Sequence, residues 1–181
     1  MSTARFHLKA ATAEAHDRLD ALFSRFDLSL ADDYGRFLQA QAGPFLAVET
    51  ALDAGGAGRL LADWPERRRA DALRDDLVAL GLPVSEPVER PVYDSEAAML
   101  GAIYVLEGSR LGGAMLVRRV PDTAPKRFLT PGNPLLWREF VSVLDERLSS
   151  EGARAEAAAA ASVVFDLFTR SARELTGADR P

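Results

Sequence analysis

Apolar residues recur at three- and four-residue intervals along most of the chain and nowhere alternate over a useful length, so the pattern predicts helices and an all-α fold. Ser2 and Thr3 can cap a first helix over about residues 4 to 26, with Phe6, Ala10, Ala13, Leu19, Phe23 and Phe26 as its apolar positions. Ser29 and Asp32 offer a second start. The pattern from Tyr34 through Phe37, Leu38, Phe45, Leu46 and Val48 then runs to the glycines 55, 56 and 58, with Pro44 expected to kink or divide the helix. A third, short helix is predicted to begin at Pro65, bury Leu73, Leu77 and Leu80, and stop at Gly81. Pro83, Pro87 and Pro91 make residues 82 to 93 a loop or extended crossover. Asp94 and Ser95 cap a long apolar segment reaching about Val120, and four prolines between Pro121 and Pro134 mark a second irregular connection. Helices from Leu135 to about Leu148 and from about Ala153 to Leu175 close the chain.

Composition narrows the function. At 181 residues, 48% hydrophobic and 27% charged, the chain fits one globular domain over residues 1–181. A formal charge of −5 supplies no basic footprint for nucleic acid or anionic lipid, so neither is an expected partner. The absence of cysteine excludes disulfides, thiolate metal sites and a cysteine nucleophile. No leader pattern or uncharged span of membrane length is evident, so the expected location is the cytoplasm.

The chain has two histidines. His7 and His16 are nine residues apart, on opposite faces of one helix, and cannot share a metal. Neither has a glutamate three residues before it, which argues against a carboxylate-bridged di-iron site. His7 is expected to be exposed. His16 shares its face with Thr12, Leu19 and Phe23, so its imidazole is expected to point inward, either as a satisfied core group or as a ligand. Lys9 lies nearly in line with His16, about 10 Å toward the helix start, a spacing that suits either a snorkelling lysine or a grip on a large flat ligand.

The segment from Gly101 to Gly113 carries four glycines inside a helical pattern, each costing about 1 kcal/mol relative to alanine. Gly101, Gly108 and Gly112 fall within about 40° of one another and form a groove bare of side chains, open to close helix packing or to a planar ligand.

Taken together, the stretch from Leu8 to His16 and the run Tyr104, Val105, Leu106, Glu107, Gly108, Ser109, Arg110, Leu111, Gly112, Gly113 resemble the proximal and distal helix motifs of the heme oxygenases, in particular the bacterial branch that makes biliverdin for bacteriophytochromes. The resemblance implies an all-α fold across the whole chain, with His16 as the axial ligand to heme iron. It further implies Gly108, Gly112 and Gly113 facing the heme, Lys9 and Arg138 pairing with its propionates, and Phe165 beside the pocket. Ser109 stands where better-known members of the family have an aspartate that organises distal water, and a hydroxyl brings no carboxylate charge there. The implied reaction uses heme as cofactor and substrate, yields biliverdin, carbon monoxide and ferrous iron, and takes electrons from a separate reductase or ferredoxin. The alternative is a heme carrier or sensor with little turnover. Thiaminase-like relatives of the fold need a cysteine that this chain lacks.

Overall fold

The computed structural model describes residues 3–84 and 90–177, and among them all regular structure is helical. The elements are α1 (Thr3–Phe23), α2 (Ala31–Gly55), α3 (Ala57–Leu60), α4 (Trp64–Arg67), α5 (Ala70–Ala79), α6 (Glu96–Leu116) with a 3-10 turn at Val117–Arg119, α7 (Pro134–Arg147) and α8 (Glu151–Thr176). The caps read from sequence are in place where α6 begins, with the Ser95 hydroxyl accepting from Ala98 N. Ser150 and Asn133 do the same for α8 and α7. Of the prolines expected to break residues 82 to 93, Pro87 lies outside the described residues.

Two local expectations change, and of the two outcomes open at Pro44 division does not occur: the helix is continuous from Ala31 to Gly55. Losing one internal bond costs about 3 kcal/mol, which is outweighed when Tyr34, Phe37, Phe45, Leu46 and Leu52 are all buried along the same helix. The run expected from Pro65 to Gly81 breaks instead at Arg68 and Arg69 into α4 and α5. The break has a physical cause: Glu49 on α2 accepts the backbone N–H groups of Arg69 and Ala70, and the Arg69 guanidinium slots between the rings of Phe45 and Phe128, 4.9 Å from each centroid. Leu73 and Leu77 are buried as expected, whereas Leu80 is only half-buried. Finally, the buried stripe of α1 is Ala4, Leu8, Thr12, Ala15, Leu19 and Leu22. Phe6, Ala10 and Ala13 lie outside it, on exposed parts of the helix.

Helix α8 is the spine of the bundle, with α1, α2 and α6 all packed along it. The second proline-rich connection is tied down at two points. Asp76 accepts from Arg127 N and Phe128 N, and the Tyr34 hydroxyl donates to Pro125 O at 2.8 Å. By length and composition α6 with its 3-10 turn would span a membrane, yet it serves as a packed helix of the bundle, touching α8 directly.

That contact sets the geometry. A Cβ built on Gly101 would lie 2.0 Å from the carbonyl oxygen of Ala157, so α6 and α8 meet backbone to backbone and only glycine fits. Replacing Gly101 with alanine is therefore expected to lower the stability of the ligand-free protein by about 1 to 3 kcal/mol through overpacking, measured by urea or thermal unfolding.

Candidate functional site

Helices α1 and α6 each lie against α8 but barely touch one another. One joint between them is a hydrogen bond between the hydroxyls of Thr12 and Tyr104. Farther along, Arg119 comes near Asp27, whose carboxyl is held below the usual range by the hydroxyl and amide of Ser29, with the Arg119 charge adding to the effect. His16 lies one turn beyond Thr12 on α1, and Gly108 one turn beyond Tyr104 on α6.

On the α1 side, the His16 side chain is 58% exposed. It is neither a core histidine nor inward-pointing, because the buried stripe passes through Ala15 and Leu19 and leaves position 16 at the edge of the gap. Its ring stands edge-on to Phe165 of α8 at 5.9 Å, and its Nδ1 lies 3.2 Å from a carboxylate oxygen of Asp20, one turn on. A carboxylate on Nδ1 favours the tautomer that leaves Nε2 as the acceptor, the state a metal requires. Asp20 escaped sequence reasoning, although its i,i+4 spacing from His16 was available. Phe165 is buried beneath the ring. His7, expected to be exposed, is half-buried on the other face of the helix.

On the α6 side, the three glycines that share a face divide by environment. Gly101 is consumed by packing on α8, whereas a Cβ at Gly108 or Gly112 would meet no atom within 4 Å. The helix is bare over open space just where it borders the gap. Gly113, expected on the ligand side with them, is buried, and a Cβ there would lie 3.2 Å from Leu129. One residue of rotation carries it about 100° away from Gly112, which takes it off the open face.

Ser109 sits behind this face. Its hydroxyl donates to Leu106 O at 2.7 Å and accepts from a guanidinium N–H of Arg69 at 2.6 Å. With its single proton committed, Ser109 can act toward a water only as an acceptor. The same Arg69 group also donates to Leu106 O at 2.7 Å. Burial and the charge of Arg110 push the Arg69 guanidinium down from its ordinary value, while Glu107 and Glu49 oppose the shift. Neither Arg69 nor Glu107 carries a signal in the sequence pattern, since each reads there as a charge on a helix surface. Lys9 and Arg138 are both exposed, on α1 and α7.

Two hollows lie elsewhere. One of about 280 Å³ is lined by Leu60, Leu61, Asp63, Arg67, Glu139 and Val143. The other, of about 210 Å³, lies beside Gly55, Arg59, Tyr93 and Met99. Both fall short of the ~300–1,000 Å³ of ordinary ligand pockets. The space before Gly108 and Gly112 is open, and His16 offers an exposed imidazole with Nδ1 against a carboxylate, a set of groups that fits heme.

A family model described as heme oxygenase matches residues 2–174. The chain belongs to the heme oxygenase family. It is 37% identical over 145 residues to a heme oxygenase from Xanthomonas campestris pv. campestris, covering 76% of this chain and 87% of that one. It is 32% identical over 165 residues to the heme oxygenase PigA of Pseudomonas aeruginosa, covering 81% and 83%. Among solved structures it resembles the heme oxygenase of Neisseria meningitidis, studied with NO and CO bound, with a TM-score of 0.82 at 26% identity over 98% of this chain and 93% of that one. The fold is shared with a heme oxygenase of Leptospira interrogans, with a TM-score of 0.72 at 20% identity over 96% and 100%.

Because His16 is exposed, replacing it with alanine should leave stability within about 1 kcal/mol of the parent, and if its imidazole is the iron ligand the substitution removes that ligand. Ferric and ferrous spectra of the hemin-loaded variant should differ from those of the parent, and turnover should fall by at least about 100-fold, the upper end of what loss of a mere outer-shell partner costs. Unchanged spectra would assign the iron to another residue.

Proposed function

We propose that this protein opens heme to biliverdin, carbon monoxide and ferrous iron, using dioxygen and electrons from a separate ferredoxin or reductase. The reading is supported by an exposed His16 with Nδ1 against Asp20 and by an α6 face left open at Gly108 and Gly112, which we take to be the two walls of one heme site. Heme, when bound, supplies the iron that activates dioxygen and is itself the substrate.

The chain's own residues have separable tasks. His16 would hold the iron through Nε2, with Asp20 at its Nδ1 favouring that tautomer and orientation. Phe165, edge-on to the imidazole, limits its rotation. Lys9 and Arg138 offer cations to the propionates at the solvent edge, where Lys9 stands about 20° round α1 from His16. Gly108 and Gly112 would present bare backbone to bound heme and leave room there for a small diatomic ligand and water. Ser109, its proton already given to Leu106 O, can accept from such a water but cannot donate to it or bring a negative charge. We place the protein in the cytoplasm, with a bacteriophytochrome as a candidate recipient of the bilin.

The reading is tested by adding one equivalent of hemin to the purified protein, supplying a reductant under air, and following the Soret band and the product by chromatography. Loss of the Soret band with formation of biliverdin is expected. A stable heme complex without product would make the protein a carrier or sensor instead, and no heme binding would overturn both readings.

Substitution of the open face is expected to separate fold from function. Gly108→Ala and Gly112→Ala should each raise the stability of the ligand-free protein by up to about 1 kcal/mol, since the added methyl meets nothing. The same methyl should slow heme turnover by crowding the distal side. Loss of ligand-free stability with normal turnover would show that the face serves packing.

A further inference from the structure

The glycine face of α6 has nothing in front of it to fix its position, so whatever sets its distance from a bound ligand must act from behind. Three arginines do so. Arg67 on α4 donates through one guanidinium nitrogen to Glu107 Oε2 at 2.9 Å, and through the others to both carboxylate oxygens of Asp63 and to Leu136 O of α7. The Arg67 and Glu107 side chains are 1% and 3% exposed. Arg110, one turn along α6 on the same side, reaches back to Arg67 O. Arg69 holds Leu106 O and Ser109 as described. Glu107 lies about 100° round the helix from Gly108 and 140° from Gly112, on the side away from the cleft.

A buried ion pair is a poor way to gain stability, because desolvating both groups offsets most of their attraction, and its better-attested use is to fix registry. Here registry is what the glycine segment lacks. An α6 able to roll or shift would carry its bare face across the cleft without meeting any side chain at Gly108 or Gly112.

We infer that the Arg67–Glu107 pair is a positioning element that sets the rotation and depth of the α6 glycine face over bound heme, and through it which meso carbon is opened. The inference rests on the heme-cleavage reading above. Glu107 touches neither ligand nor iron and acts only by holding α6 to α4.

Position and charge can be separated at residue 107. Glu107→Asp keeps the charge but shortens the side chain by one methylene, so α6 must move to keep the Arg67 contact. Glu107→Gln keeps the length and an oxygen acceptor but removes the charge. The readouts are the C–O stretching band of the ferrous–CO complex, which senses the distal wall without turnover, and the biliverdin isomer pattern. The aspartate variant is expected to shift or split the CO band and to change the isomer ratio by about tenfold, equivalent to some 1.4 kcal/mol between competing transition states. The glutamine variant should stay close to the parent in both. Should the aspartate variant fail to fold, Arg67→Lys tests the same point, since a single ammonium cannot reach Asp63, Glu107 and Leu136 O together. An aspartate or lysine variant identical to the parent in both readouts would overturn the inference. So would a glutamine variant that shifts as far as the aspartate one, because the effect would then be one of charge. If the parent binds hemin but forms no biliverdin, the cleavage reading fails, and the inference falls with it as a statement about the carbon opened; the CO band then decides only whether the pair positions α6.

Discussion

Two helix backbones can touch only where no Cβ stands between them, and in this molecule that point is Gly101 against the carbonyl of Ala157. The contact draws one end of α6 onto α8, while α1 packs along α8 elsewhere, and its Phe165 reaches His16 two turns beyond Ala157. Because both helices are held by α8 rather than by each other, a gap is left between them. The Thr12–Tyr104 bond limits that gap at one point and the Asp27 and Arg119 neighbourhood at another. The space between α1 and α6 thus follows from where the tight packing is placed.

The same division explains an unusual polar interior. Arg67, Arg69, Glu49 and Glu107 are all buried, as are Asp76, Gln41, Thr12 and Thr169, within a core made mainly of aliphatic and aromatic residues. Apolar residues in their place would stabilise as well or better. What they provide is direction. Glu49 dictates the break between α4 and α5, that break presents Arg67 and Arg69 to α6, and those guanidinia grip Leu106, Glu107 and Ser109 beside the first open glycine. Rigidity is supplied from behind a wall that has to stay bare in front.

The helices were legible because their periodicity and caps agree, as at Ser95. The break at Arg68 and Arg69 was not, since it depends on a carboxylate twenty residues earlier in the chain. His16 and the glycine run were legible as unusual features, and the glycine spacing placed three residues on one face. Spacing alone could not tell that Gly101 meets a helix while Gly108 and Gly112 meet nothing, because that difference lies in where α8 crosses. His16 was expected inside for a related reason. An apolar face on α1 reads the same whether it touches a core or lines a cleft, and its neighbours at Leu19 and Phe23 fit either.

The central claim is that α1 around His16 and α6 around Gly108 and Gly112 are the two walls of one heme site. Amide hydrogen exchange with and without one equivalent of hemin tests it most directly. The account predicts new protection in two separate segments, about residues 9 to 20 and 104 to 116, with little change at the Gly101–Ala157 contact, which is closed already. Protection confined to one wall, or appearing instead around the hollow between Leu60 and Val143, would contradict it.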